Sequence, residues 1–168
     1  MFGCTAADEI NVYSARQEVL MKPLINKFEE KTGIKVNIIA AKANQLINRI
    51  IQEGEYSNAD IILTTDVGRL YAAKVKNIMQ KVNSHKLEKL IPQRFRDSEG
   101  CWFGLSLRYR IIVYDKNKVN YDNFSGYLGL ADDIWNKRIL VRSSNNVYNQ
   151  SLVAAMIINY GEKKTADF

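Results

Sequence analysis

Residues 10–40 read INVYSARQEVLMKPLINKFEEKTGIKVNIIA, and the hydrophobic period changes twice along them. Ile10-Asn11-Val12-Tyr13 is a short strand, with its apolar side chains two apart. Leu20, Leu24 and Phe28 then recur at i, i+4 and i+8, which is one face of a helix. Pro23 is expected in the first turn of that helix, because an interior proline costs about 3 kcal/mol. Gly33 supplies the stop. Val36, Ile38 and Ala40 alternate again as a second strand.

The same rhythm continues outward. Leu46, Ile47, Ile50 and Ile51 make one face of a second helix, closed by Gly54. Ala59-Asp60-Ile61-Ile62-Leu63 is a third strand, so apolar that burial on both faces is expected. Asp66 caps a third helix carrying Leu70 and Ala73. Strand-helix-strand-helix-strand with short connections and right-handed crossovers gives an α/β fold, a mostly parallel sheet flanked by helices. After Gly100 the pattern changes. Trp102 to Tyr114 reads as one long strand, with Ser106, Arg108 and Arg110 on one side and Leu105, Leu107, Tyr109 and Ile111 on the other. Arg138-Ile139-Leu140-Val141 reads as another strand. Leu152, Val153, Met156, Ile157 and Tyr160 mark a late amphipathic helix stopped by Gly161, and a new helical pattern begins beyond it.

Composition agrees with a folded chain. The 168 residues are 46% hydrophobic and 25% charged, ordinary for a globular protein. That excludes a disordered chain, a collagen-like repeat and a disulfide scaffold. No apolar run nears the roughly 20 residues of a membrane span. Lys and Arg number 24 against 18 Asp and Glu, a net charge of +6. These charges are interspersed rather than clustered, so they favour anionic ligands mildly and do not call for nucleic acid. Phe2-Gly3-Cys4-Thr5-Ala6-Ala7 reads as the end of an export signal, with Cys4 as a possible point of lipid attachment. Cys4 and Cys101 have neither zinc nor redox spacing and are expected as free thiols.

In an open α/β sheet, ligands sit beyond the carboxyl ends of the strands. Three such ends are rich in donors: Tyr13-Ser14-Ala15-Arg16-Gln17, Thr64-Thr65-Asp66, and Arg142-Ser143-Ser144-Asn145-Asn146-Val147-Tyr148. Each precedes a helix, whose N-terminus suits an anion; the competing reading is that these residues are simply N-caps. No catalytic constellation is present. His85 is the one histidine and lies in a polar stretch, Cys4 and Cys101 have no base beside them, and no phosphate-binding glycine loop occurs. Nine tyrosines stand out, since a phenolate oxygen is a hard donor to a metal cation.

Several blocks together resemble a known family. They are Asn11-Val12-Tyr13-Ser14-Ala15-Arg16, Thr32-Gly33-Ile34-Lys35-Val36-Asn37, Ala41-Lys42-Ala43-Asn44-Gln45-Leu46, Asn58-Ala59-Asp60-Ile61 and Asp66-Val67-Gly68-Arg69-Leu70. Trp102-Phe103-Gly104-Leu105-Ser106, Val113-Tyr114-Asp115-Lys116 and the run Arg142 to Leu152 complete the set. From Ile10 to Gly161 the chain resembles the bacterial periplasmic ferric-iron-binding proteins, the solute-binding subunits of iron(III) ABC importers.

The resemblance implies a two-lobed periplasmic protein that closes on Fe3+ through tyrosine phenolates, often with carbonate or a similar anion, and hands it to an importer permease. Tyr148 matches the family's single ligand tyrosine before the second-lobe helix. Arg108, Arg110, Ser144 and Asn146 match positions near the iron or its anion. Tyr13, Ser14, Arg16, Gln17, Thr65 and Asp66 are the candidates for the first-lobe side of the cleft. Where many relatives carry His-Tyr, this chain has Gln17 and Glu18, and a carboxylate that others place near Thr65 is absent. The family's adjacent tyrosine pair falls beyond Phe168. The implied division is a tail over 1–9, a first lobe over 10–107, a hinge strand over 108–115 and a truncated start of the second lobe over 116–168. Truncation predicts exposed apolar edges around Val113 and Ile139, and self-association or a second chain completing the cleft. The alternatives are a binding protein for another small anion or metal chelate, and a basic interaction module.

Overall fold

The computed structural model describes residues 8–168, so Cys4 and the proposed leader remnant lie outside the described residues. β1 (Glu9–Ser14), β2 (Lys35–Ala40) and β3 (Ile61–Leu63) form a parallel sheet in the order β2-β1-β3. Ile10 pairs with Val36 and Val12 with Ile38 on one side, and Val12 pairs with Ile61 on the other. The helices α1 (Glu18–Thr32), α2 (Ala43–Glu53) and α3 (Val67–Val75) stand between and after the strands as the periodicity requires. Contacts divide the chain after Gly104 into two units.

In the first unit the core lies between β1 and α2. Tyr13 is fully buried, with Ser14, Ala43, Leu46, Ile47 and Ala73. The expectation that β3 is buried on both faces is corrected. It is an edge strand of three residues and Ile61 is exposed, because β1 takes the central place. Pro23 is also displaced from its expected first turn. α1 begins at Glu18, so the proline sits in the second turn, where its missing N–H leaves one carbonyl of the ladder without its usual donor. Gly33 ends α1 at φ 71°, donating to Glu29 O, a left-handed residue that favours glycine. Leu20 and Leu24 nevertheless remain exposed on α1.

α3 is tied to a tight turn that follows α4 (His85–Leu90), the short helix on which His85 is exposed. Arg96 and Phe103 form an antiparallel bridge, and Asp97 N donates to Trp102 O at 3.0 Å. Lys74 Nζ donates to both Asp97 oxygens at 2.9 Å and to Glu99 Oε1 at 2.8 Å, and Lys81 reaches Glu99 from the other side. Cys101 is a free, half-buried thiol here. Burial first, and then the Asp97 carboxylate, push its pKa up.

The second unit has a small aromatic centre. The Tyr114, Phe124 and Trp135 rings follow one another at 5.0 and 4.8 Å, and Trp135 and Met156 are buried. α5 (Val147–Tyr160) ends at Gly161, and α6 (Glu162–Asp167) follows. Neither strand expected here forms. Trp102–Tyr114 contains only the bridge residue Phe103, and Arg138–Val141 is a turn followed by irregular chain. The side chains of 105–111 do alternate between apolar and other residues. A strand, however, needs a neighbour to take its N–H and C=O groups, and among the described residues no strand pairs with 105–114 or 138–141.

Candidate ligand site around Tyr148

Asn146 caps α5, its Oδ1 accepting from Tyr148 N at 3.0 Å. This fixes Tyr148 in the first turn of a 14-residue helix. Asn146 N in turn donates to Ser143 O at 2.9 Å, and Asn149 Nδ2 and Gln150 Nε2 fold back onto Arg142 O and Ser144 O. The polar run thus cross-braces itself, and Ser144 is exposed at its tip.

Three guanidinium groups converge on the tyrosine. Arg108 Nη1 donates to the phenol oxygen at 3.0 Å, and its Cζ lies 5.7 Å from the ring centroid. Arg110 donates to the Tyr148 backbone carbonyl. Arg142 lies over the ring with Cζ at 5.4 Å, a cation–π distance. Arg108 and Arg110 are two apart in the chain, and both reach Tyr148. The structure brings Tyr148, Arg108, Arg110 and Asn146 together, and with them Arg142, which the sequence offers only within a donor-rich run. Its signal was position alone: it opens the polar run. Only the fold of that run shows that it turns back onto Tyr148.

The strand ends of the first unit are arranged differently. Tyr13 is 0% exposed and its hydroxyl donates to Glu53 at 3.0 and 3.1 Å. Burial first, then the Glu53 carboxylate, hold this phenol above its ordinary pKa. Arg49 and Ser57 also donate to Glu53. Ser14 is likewise buried, with Oγ accepting from Arg16 N at 3.1 Å. Arg16 is half-buried and Gln17 exposed. Thr65 Oγ1 accepts from Arg69 at 3.0 Å, and Asp66 caps α3 by accepting from Gly68 N. Replacing Tyr13 by phenylalanine is expected to cost about 1.5 kcal/mol, the loss of one hydrogen bond to a charged acceptor. Urea unfolding monitored by circular dichroism checks it.

Among the described residues, His, Cys, Asp and Glu nowhere gather in threes that could hold a metal.

The chain is similar to known solute-binding proteins. The family described as bacterial extracellular solute-binding proteins matches twice, over residues 10–88 and over residues 57–168. "Iron uptake protein A1" of Synechocystis sp. is 46% identical over 157 residues, which are 94% of this chain and 44% of that protein. A Trichodesmium structure described as a complex with iron and citrate ligands superposes with a TM-score of 0.89 at 43% identity, covering 95% of this chain and 50% of that one. The open form of a ferric-iron-binding protein from Mannheimia haemolytica gives 0.87 at 46% identity, covering 96% and 51%. The chain therefore spans about half the length of the relatives it matches.

Proposed function

The chain belongs to the bacterial extracellular solute-binding proteins, and from that premise we propose that it captures ferric iron in the periplasm for an ABC importer, with Tyr148 as a phenolate ligand. It acts as a binding protein and catalyses nothing. The observation that carries the reading is the convergence of Arg108, Arg110 and Arg142 on Tyr148 at the start of α5. Fe3+ takes hard oxygen donors, which a tyrosine supplies. Three guanidinium groups would repel a bare trivalent cation but attract one that arrives with an oxyanion. Guanidinium holds such an anion through paired N–H donors, and the α5 N-terminus adds its partial positive charge. Carbonate or a carboxylate chelate is therefore the accompanying anion, with Ser144 and Asn146 beside it. Relatives described as iron-uptake and iron-binding proteins support the choice of metal.

Ferric citrate titrated into the chain in bicarbonate buffer should raise a tyrosinate-to-iron charge-transfer band. Tyr148→Phe should lose that band and at least about tenfold in affinity, the equivalent of about 1.4 kcal/mol. Where the chain alone gives no band, the titration is repeated with the unmatched part of the Synechocystis protein added as a separate polypeptide. An identical band in Tyr148→Phe, or no band in either format, overturns the reading.

A second reading has its own observation. The one tyrosine of the site is surrounded by arginines. That set also fits a small anion or a preformed metal chelate. A ligand that binds only the native state raises its melting temperature, so a thermal-shift series of oxyanions with and without iron separates the two.

A further inference from the structure

Glu53 is the last residue of α2, and its side chain is 24% exposed. Arg49 Nε, one turn back, donates to its Oε1 at 2.5 Å, and Ser57 Oγ donates to its Oε2 at 2.7 Å. Ser57 Oγ in turn accepts from Ala59 N, on the approach to β3. The carboxylate is therefore fixed from its own helix and from the chain that follows it. Onto this fixed point the buried Tyr13 hydroxyl donates, at 3.1 and 3.0 Å to the two oxygens. Arg49 also stands over the Tyr13 ring, with Cζ 5.1 Å from its centroid.

Tyr13 lies one residue before the end of β1, the central strand. The turn that follows is lightly fastened. Ala15 N donates to Leu63 O at 2.8 Å, Ala41 N to Ser14 O at 3.3 Å, and Arg16 N to Ser14 Oγ at 3.1 Å. The ladder by itself does not choose where β1 stops. Its side chains repeat with period two, so a slip of two residues keeps each on its face. A bond from the Tyr13 hydroxyl to a fixed carboxylate exists in one register only.

We propose that Glu53 is a positioning residue: by holding the Tyr13 hydroxyl it fixes β1 along its own axis and so sets the turn Ser14–Gln17, the place where an α/β sheet presents its ligand. Arg16 is half-buried and Gln17 exposed in that turn. The binding role proposed above enters only as what the turn serves. The positioning itself is a property of the ligand-free chain and is tested there.

Relaxation-dispersion NMR of the metal-free chain reads the native basin rather than its stability. Tyr13→Phe leaves the carboxylate with Arg49 and Ser57 and removes only its link to β1. In that variant Ala15, Arg16 and Gln17 should exchange with a second state populated at about 1–10%, while the amides of α3 show no such exchange. Glu53→Leu should do the same, and the double variant should add nothing to it, since both changes remove one bond. Glu53→Gln keeps an acceptor oxygen for the phenol and should return the turn to wild-type behaviour, although it loses the charge that Arg49 meets. If Glu53→Leu fails to fold, Tyr13→Phe and Glu53→Gln decide the matter between them. No dispersion at the turn in Tyr13→Phe, equal dispersion in α3, or a Glu53→Gln turn as mobile as that of Tyr13→Phe would each overturn the proposal. Absence of a ferric band in the titration above would remove the iron reading and leave this result as it is.

Discussion

Leu46→Ala is expected to lower the unfolding free energy of the first unit by about 3 kcal/mol, within the range for truncating a buried leucine. Leu46 is 1% exposed, the most deeply buried aliphatic side chain of α2. It lies in a core of few residues beside the central strand β1, and a three-stranded sheet offers little else to collapse into the cavity. Ile51→Ala on the same helix is the control. Its side chain is exposed, so its loss should cost well under 1 kcal/mol. Urea unfolding of both variants, followed by helical circular dichroism, measures the difference. Equal losses would show that α2 does not pack through Leu46.

The contrast between the two units explains what could be read from residues alone. In 10–75 each period change falls between elements that are neighbours in sequence and in space. Gly33 and Asp66 stop and start helices by their own local chemistry, at φ 71° and through a bond to Gly68 N. Such signals act within a few residues, so the sequence carries them. Position within the sheet is different. Ala59–Leu63 is more apolar than Ile10–Tyr13, yet β1 is central and β3 is the edge. Strand order depends on where each crossover returns, which no local pattern states.

Trp102–Tyr114 shows the complementary limit. Its alternation is real, and it placed Arg108 and Arg110 on one side of the chain, where both meet Tyr148. Yet alternation describes side chains only, while a strand is defined by what receives its backbone groups. The site was legible for the same reason it was incomplete. Asn146 and Tyr148 sit in a capping turn whose geometry is local. Arg142 reaches the ring only because that turn folds back. The Tyr13 hydroxyl is bound to Glu53, 40 residues away, a partner that no local pattern states.

Asp97→Ala should be the second large loss, about 3 kcal/mol, because it strips a buried acceptor from several donors at once. The Asp97 side chain is only 9% exposed. It takes Lys74 Nζ on both oxygens, and its Oδ2 also accepts from Glu99 N and Cys101 N. Burial pushes this carboxyl up, but the Lys74 ammonium and the two backbone N–H groups together outweigh it and hold the pKa below the ordinary carboxylate value. A carboxyl depressed in the folded state adds stability that is complete above its unfolded pKa of about 3.9 and is lost as pH falls through its folded value. Stability of the wild-type chain should therefore decline below about pH 4. Asp97→Asn keeps an oxygen for the backbone donors and loses only the charge. It should cost less than alanine at pH 7, and its acid decline should be shallower than that of the wild type. Glu99 and Glu53 are depressed too, by Lys74 and by Arg49 first in each case, so the acid limb flattens without vanishing. Equal losses for alanine and asparagine would assign the whole effect to the ion pair with Lys74. A loss for alanine alone would assign it to the backbone turn that the carboxylate holds closed.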